Sequence, residues 1–270
     1  MPSPNNLLIT TLLLLSNPAD PTAGTQPEPA WQLHAVLPGE NAAVSFRIPA
    51  GLQDSTLPEV SVPGAELDGV SYVPPEDTVI VTLARPAADT VSFDELLLDY
   101  GSGPEPFQVG PVEVNWLNPH PDWPLLPRWL SHSNGPPFLG VLLENTAAAA
   151  IELTGFSYAP AALATGELLV LRDTAGLNLQ GDGGGSGVEL PYRSGAVFDA
   201  DSWSGPAVEE FSFSSGSLLL GPGGQLLLIA GPDSLTPGTD FNLASIGAFA
   251  PSISFLLDGG QYHLPLERWR

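Results

Sequence analysis

Nowhere in the chain does a long window keep apolar side chains at the i, i+3, i+4, i+7 spacing of an amphipathic helix without a proline or glycine interrupting it. Short apolar runs rich in β-branched and aromatic residues stand in its place. They read "AVSFRI" (43–48), "TVIVTLA" (78–84), "VSFDELLLDY" (91–100), "VGPVEVNWL" (109–117), "FLGVLLEN" (138–145), "GELLVLR" (166–172), "EFSFSSGSLLL" (210–220), "GQLLLIAG" (224–231) and "SISFLLDGGQYHLPL" (252–266). The 29 glycines and 30 prolines among 270 residues fall between these runs, with no collagen period. Glycine supplies positive φ and proline fixes φ while removing a donor, so the pattern is strand, turn, strand. Turns about every 8–12 residues predict an all-β sandwich or barrel. Asp258-Gly259, between two apolar runs, marks a hairpin.

One stretch is spelled twice. "ELDGVSYVP" (66–74) returns as "ELTGFSYAP" (152–160), with six of nine positions identical. "TVIVTLAR" follows the first copy and "GELLVLR" the second, ending at Arg85 and Arg172. Farther on, "VSFDELLL" (91–98) resembles "FSFSSGSLLL" (211–220), once an insertion at 173–208 is allowed for. The ordered matches predict two tandem immunoglobulin-like β-sandwiches in which Tyr72 and Tyr158 occupy equivalent places. The first spans residues 1–117 and the second 138–270, with the loop 173–208 as its excursion. Between them, residues 118–137 hold six prolines and read as a stiff connector.

Within the second copy, "VLLENTAAAAIELTGFSY" followed by "FSFSSGSLLLGPGGQLLLIAG" resembles the lamin-tail type of immunoglobulin-like domain. The likeness rests on Asn145 after a first strand, on Leu153 and Gly155 in a "dLsGw"-type turn, and on the run Gly221-Pro222-Gly223-Gly224 before a strand. Phe156 stands where that family often has Trp, and the loop 173–208 is longer than usual. The resemblance implies a β-sandwich common in bacterial exported proteins as an accessory or interaction module, without catalytic residues.

Charge narrows the partners. Thirty acids face seven bases, all of them arginine, for a net charge of −23. Such a field repels nucleic acid and anionic membrane, and nucleic acid is not expected as a partner. With no cysteine, the chain has no disulfide framework, no thiolate zinc site and no thiol nucleophile. The apolar run Leu7 to Leu15 is too short to span a bilayer. It reads either as an uncleaved strand, paired in its own domain or in a neighbouring subunit, or as a secretory signal that lacks the usual basic start.

Motifs for chemistry are sparse. The four histidines, His34, His120, His132 and His263, form no H-x-x-x-H or H-x-H pair, although His120, Asp122 and His132 share the connector. "GDGGGSG" (181–187) lacks the lysine and helix of a phosphate cradle and reads as a loop tip. Asp173, Asn178 and Asp182 in the same loop are candidate oxygen ligands for calcium, and Asp199 and Asp201 form a second acidic loop. Carboxylates such as Asp94, Glu95, Glu209 and Glu210 have no sequence relation that pairs them for glycoside hydrolysis. Trp116, Trp123, Trp129 and Trp203 offer rings either for stacking on sugars or for packing between domains.

Together these readings predict a non-enzymatic structural subunit of an exposed assembly, such as a cell-surface layer or fibre, that associates with itself or with another surface protein. A virion shell or tail component is the close alternative. A surface module binding carbohydrate or another partner is the second class. No cofactor is expected beyond a possible calcium.

Overall fold

The alternation read along the chain becomes an alternation of burial. In β2 (Ala42–Arg47) Ala42, Val44 and Phe46 are buried while Ala43, Ser45 and Arg47 are exposed. In β5 (Thr78–Leu83) Val79, Val81 and Leu83 are buried. A pleated strand sends successive side chains to opposite faces, so one face of each such strand can join a core while the other meets water. The structure, a computed structural model, describes residues 30–48, 57–73, 77–132, 139–162, 167–174, 207–230 and 246–266. The fold is all-β, with no helix among the described residues.

In the first half, a three-stranded sheet in the order β2, β5, β4 (Leu67–Val73) shares a core with a five-stranded sheet. That second sheet runs β15 (Ile246–Ala248), β1 (Trp31–Val36), β7 (Pro104–Trp116), β6 (Thr90–Asp99), β3 (Glu59–Ser61). Their shared core includes Val44, Phe46, Val79, Val81, Phe93, Leu96, Val112 and Val114.

The second half repeats the two-sheet plan. A four-stranded sheet runs β13 (Leu218–Leu220), β10 (Ile151–Ser157), β16 (Ser252–Leu257), β17 (Gly260–Pro265). A five-stranded sheet runs β12 (Glu209–Ser212), β11 (Glu167–Leu171), β14 (Gln225–Ala230), β9 (Leu139–Asn145), β8 (Leu125–His132). Leu143, Ile151, Leu153, Val170, Leu228, Ile253 and Phe255 meet between them. β16 and β17 form the hairpin expected at Asp258-Gly259, both of which adopt positive φ.

Three features depart from the sequence reading. First, residues 118–137 are a connector only in their opening part. β8 occupies Leu125–His132 and pairs antiparallel with β9. Proline is admissible there because β8 is an edge strand and Pro127 borders a register shift. Second, the first half's five-stranded sheet is completed from beyond that stretch. β1 lies between β7 and β15 and runs parallel to both.

Third, the repeated spelling encodes a local device and not a shared topology. Both Leu-x-Gly segments form a bulge, between Leu67 and Gly69 against β5, and between Leu153 and Gly155 against β16. β4 pairs with the strand that follows it, but β11, which follows β10, belongs to the other sheet of its half. Tyr72 lies inside β4 and its hydroxyl donates to the Pro58 carbonyl. Tyr158 lies past the end of β10, buried beside Phe156 with ring centroids 5.3 Å apart. The two tyrosines therefore do different work.

Candidate functional site at the seam between the halves

Among the described residues, one set of polar and aromatic groups converges where the halves meet. β7 begins the seam. Its run Val112-Glu113-Val114-Asn115-Trp116 sends both valines and Trp116 into the first core. Alternation turns Glu113 and Asn115 to the other face. Glu113 is only 6% exposed. Its Oε2 accepts the Ala161 N–H (2.7 Å), and its Oε1 accepts from Asn115 Nδ2 (2.8 Å) and from Ser157 Oγ (3.5 Å). All three donors are uncharged. A buried carboxylate needs such partners, because an ionised group left bare in the interior is costly. Two of them come from the last residue of β10 and the turn after it, so Glu113 ties the first half's sheet to the second half.

β1 supplies the apolar part of the seam. Trp31, Leu33 and Ala35 alternate with Gln32, His34 and Val36. Val36 belongs to the first core, whereas Trp31, 4% exposed, packs into the second. Leu33 and Leu117 are also buried. His34 Nε2 donates to Gln32 Oε1 (2.9 Å), and burial lowers the His34 pKa to about 4.

Beyond β7 the chain clips onto β17. His263 N–H donates to the Asn118 carbonyl (2.8 Å), Asn118 N–H donates to His263 Nδ1 (3.0 Å), and Asn118 Nδ2 donates to the Gln261 carbonyl (3.0 Å). Burial pushes the His263 imidazole below its ordinary pKa, and the Asp89 carboxylate opposes that shift. His120 packs edge-on against Tyr262 with centroids 4.5 Å apart.

A second constellation lies within the second half. Asn145 is fully buried with its polar groups engaged. Its N–H donates to the Gly224 carbonyl (3.0 Å) and its carbonyl accepts from Gly223 N–H (2.8 Å). Nδ2 donates to the carbonyls of Ala149 and Leu220 (2.9 and 2.8 Å), and Oδ1 accepts from Ala147 N–H (2.8 Å). The turn that meets it needs glycine. Gly223 has φ +67, and a Cβ on Gly224 would come within 2.9 Å of the Gly221 carbonyl oxygen.

The residues singled out from the sequence are scattered. Trp116 is 7% exposed in the first core, so its ring offers no open face for a sugar. Trp123, at φ +48, is partly buried against the second core. Trp129 lies on β8 in register with Leu142. Asp173 is exposed just past β11. Asn178, Asp182, Asp199, Asp201, Trp203 and the apolar run Leu7 to Leu15 lie outside the described residues. Among the described residues no three His, Asp or Glu side chains gather as a metal site would require, and no helix is long and apolar enough to cross a membrane.

Of the connector histidines, His120 Nδ1 accepts the Asp122 N–H (3.1 Å), while His132 ends β8. Asp94 and Glu95 lie on β6, and Glu95 accepts from Gln108 Nε2 (3.1 Å). Glu209 and Glu210 lie on β12 in the other half, and Arg172 Nε donates to Glu209 (3.2 Å).

Glu113 and Asn118 escape sequence reading, which notes His263 only as a histidine without a nearby partner in sequence. In "VEVNW" the Glu and Asn occupy the alternate positions that normally face water, and nothing local says that this face is covered. No family model matches the chain, and none of the curated proteins matches it.

Proposed function

We propose that the chain is a non-enzymatic structural subunit of an exposed assembly, a surface layer or fibre, with a virion shell or tail component as the nearest variant. The observation that carries this reading is the way the halves are joined. One sheet takes β1 from one end of the chain and β15 from near the other, Glu113 crosses the seam, and Trp31 of one half fills the core of the other. Such a joint suits a subunit that must keep its shape under force, whereas ligand-gated modules close around a flexible linker. The net charge of −23 keeps such a subunit soluble before assembly. The likeness of the second half to lamin-tail sandwiches belongs to the same proposal. Supporting it, Asn145 is bonded to Gly223 and Gly224, and Leu153 is in register with Leu218.

In this reading the apolar run Leu7 to Leu15 pairs with a neighbouring subunit. Negative-stain microscopy and native mass measurement of the purified chain test it, alongside a deletion of residues 1–16. Ordered polymers or defined oligomers are expected for the full chain, and a folded monomer for the deletion. A full chain that stays monomeric at every concentration, with a defined sugar quenching its tryptophan fluorescence, would instead establish the carbohydrate-binding module.

A further inference from the structure

The bond from Asn118 N–H to His263 Nδ1 exists only while that nitrogen is unprotonated, which fixes His263 as the neutral tautomer with its proton on Nε2. We propose that the Asn118–His263 pair is an acid-sensitive clip between the halves: protonation of Nδ1 turns the acceptor into a donor facing the Asn118 N–H, and β17 parts from the 118 turn while both sandwiches stay folded.

The geometry favours local release. Two N–H groups pointed at each other lose their bond and repel, and the other two bonds of the clip, from His263 N–H and from Asn118 Nδ2, depend on the same close approach. Asn118 is exposed, so water replaces its lost partner without any opening of the cores. The remaining ties, Glu113 to Ala161 and β1 to β15, use other residues and do not depend on this imidazole.

The ionisable groups around His263 set the direction of the response. Asp89 favours the charged imidazole, but its carboxylate is already engaged by Arg85 at 2.7 Å. His120 and Asp122 lie along the 118–123 turn, with His120 against Tyr262. Ser254, across from His263 on β16, is uncharged. Burial outweighs Asp89, so the clip is closed at neutral pH and opens only below the ordinary imidazole range of about 6.5.

Residue-resolved amide exchange on the full chain between pH 7.5 and 4.5, corrected for intrinsic rates, tests this. In the wild type, exchange at Asn118 and His263 should accelerate as pH falls, with a slope approaching about tenfold per pH unit, the limit for uptake of one proton. Val81, Val141 and Leu228, in the two cores, should follow only the global stability and stay far better protected than the clip at every pH. His263→Asn places a carbonyl oxygen near the Nδ1 position and cannot titrate, so its response should be flat. His34→Gln should respond like the wild type. The proposal is overturned by a flat wild-type profile, by an unchanged acid response in His263→Asn, by loss of the response in His34→Gln, or by core amides opening together with the clip. Nitrogen chemical shifts of the wild-type His263 ring give an independent check. A protonated Nδ1 at pH 7.5 would also overturn it.

Discussion

His34 shows what one partly buried ring does to a whole domain. It sits on β1 bonded to Gln32, and burial holds its pKa at about 4 against an ordinary 6.5. The unfolded chain therefore binds the proton more readily than the folded one. Stability from this group is complete above pH 6.5, falls as pH drops toward 4, and is flat below that. The gap corresponds to roughly 3 kcal/mol. Urea unfolding of the wild type at pH 7.5, 5.5 and 4.0 should show this decline. In His34→Gln the decline should shrink by most of that amount, while stability at pH 7.5 changes less. An identical pH slope in both proteins would remove His34 as the cause. Nothing in "WQLHAV" distinguishes this histidine from a surface one, because its burial depends on strands that arrive much later in the chain.

At the scale of single elements, the twice-spelled Leu-x-Gly bulge makes a sharp comparison. A Cβ on Gly155 would already touch the Ser254 side chain at 3.4 Å, whereas one on Gly69 would meet nothing within 4 Å. Gly155→Val should therefore cost about 1–3 kcal/mol through overpacking. Gly69→Val should cost about 0.5 kcal/mol or less, since its site is open. Chemical denaturation of the two variants decides this, and equal costs would show that the two bulges share one environment after all. The strands were legible from the sequence because alternation is a local property, as in β2 and β5. The bulges were legible as a repeated motif, though their strand partners were not. β8 was hidden because the prolines around it read as linker, and an edge position that tolerates Pro127 is not written in neighbouring residues. The parallel pairing of β1 with β7 and β15 had no local signature at all.

At the scale of the molecule, Trp31 makes the two halves one thermodynamic object. It hydrogen-bonds into one sheet through its backbone and fills the other half's core with its ring. Trp31→Ala should cost about 3–5 kcal/mol, as for other large-to-small changes in a core. It should also separate the unfolding of the halves. Calorimetry is expected to show one transition for the wild type and two for the variant; a single transition in both would mean that other contacts already suffice to couple them. The position of β1 has a further consequence, in time. This strand leaves the ribosome more than two hundred residues before Ile246, with which Trp31 pairs. Contacts so distant along the chain close slowly, because the intervening chain must lose its freedom before any reward is gained. The nascent protein therefore carries Trp31 without its core until the second half has emerged, and the first half's five-stranded sheet closes only when β15 arrives.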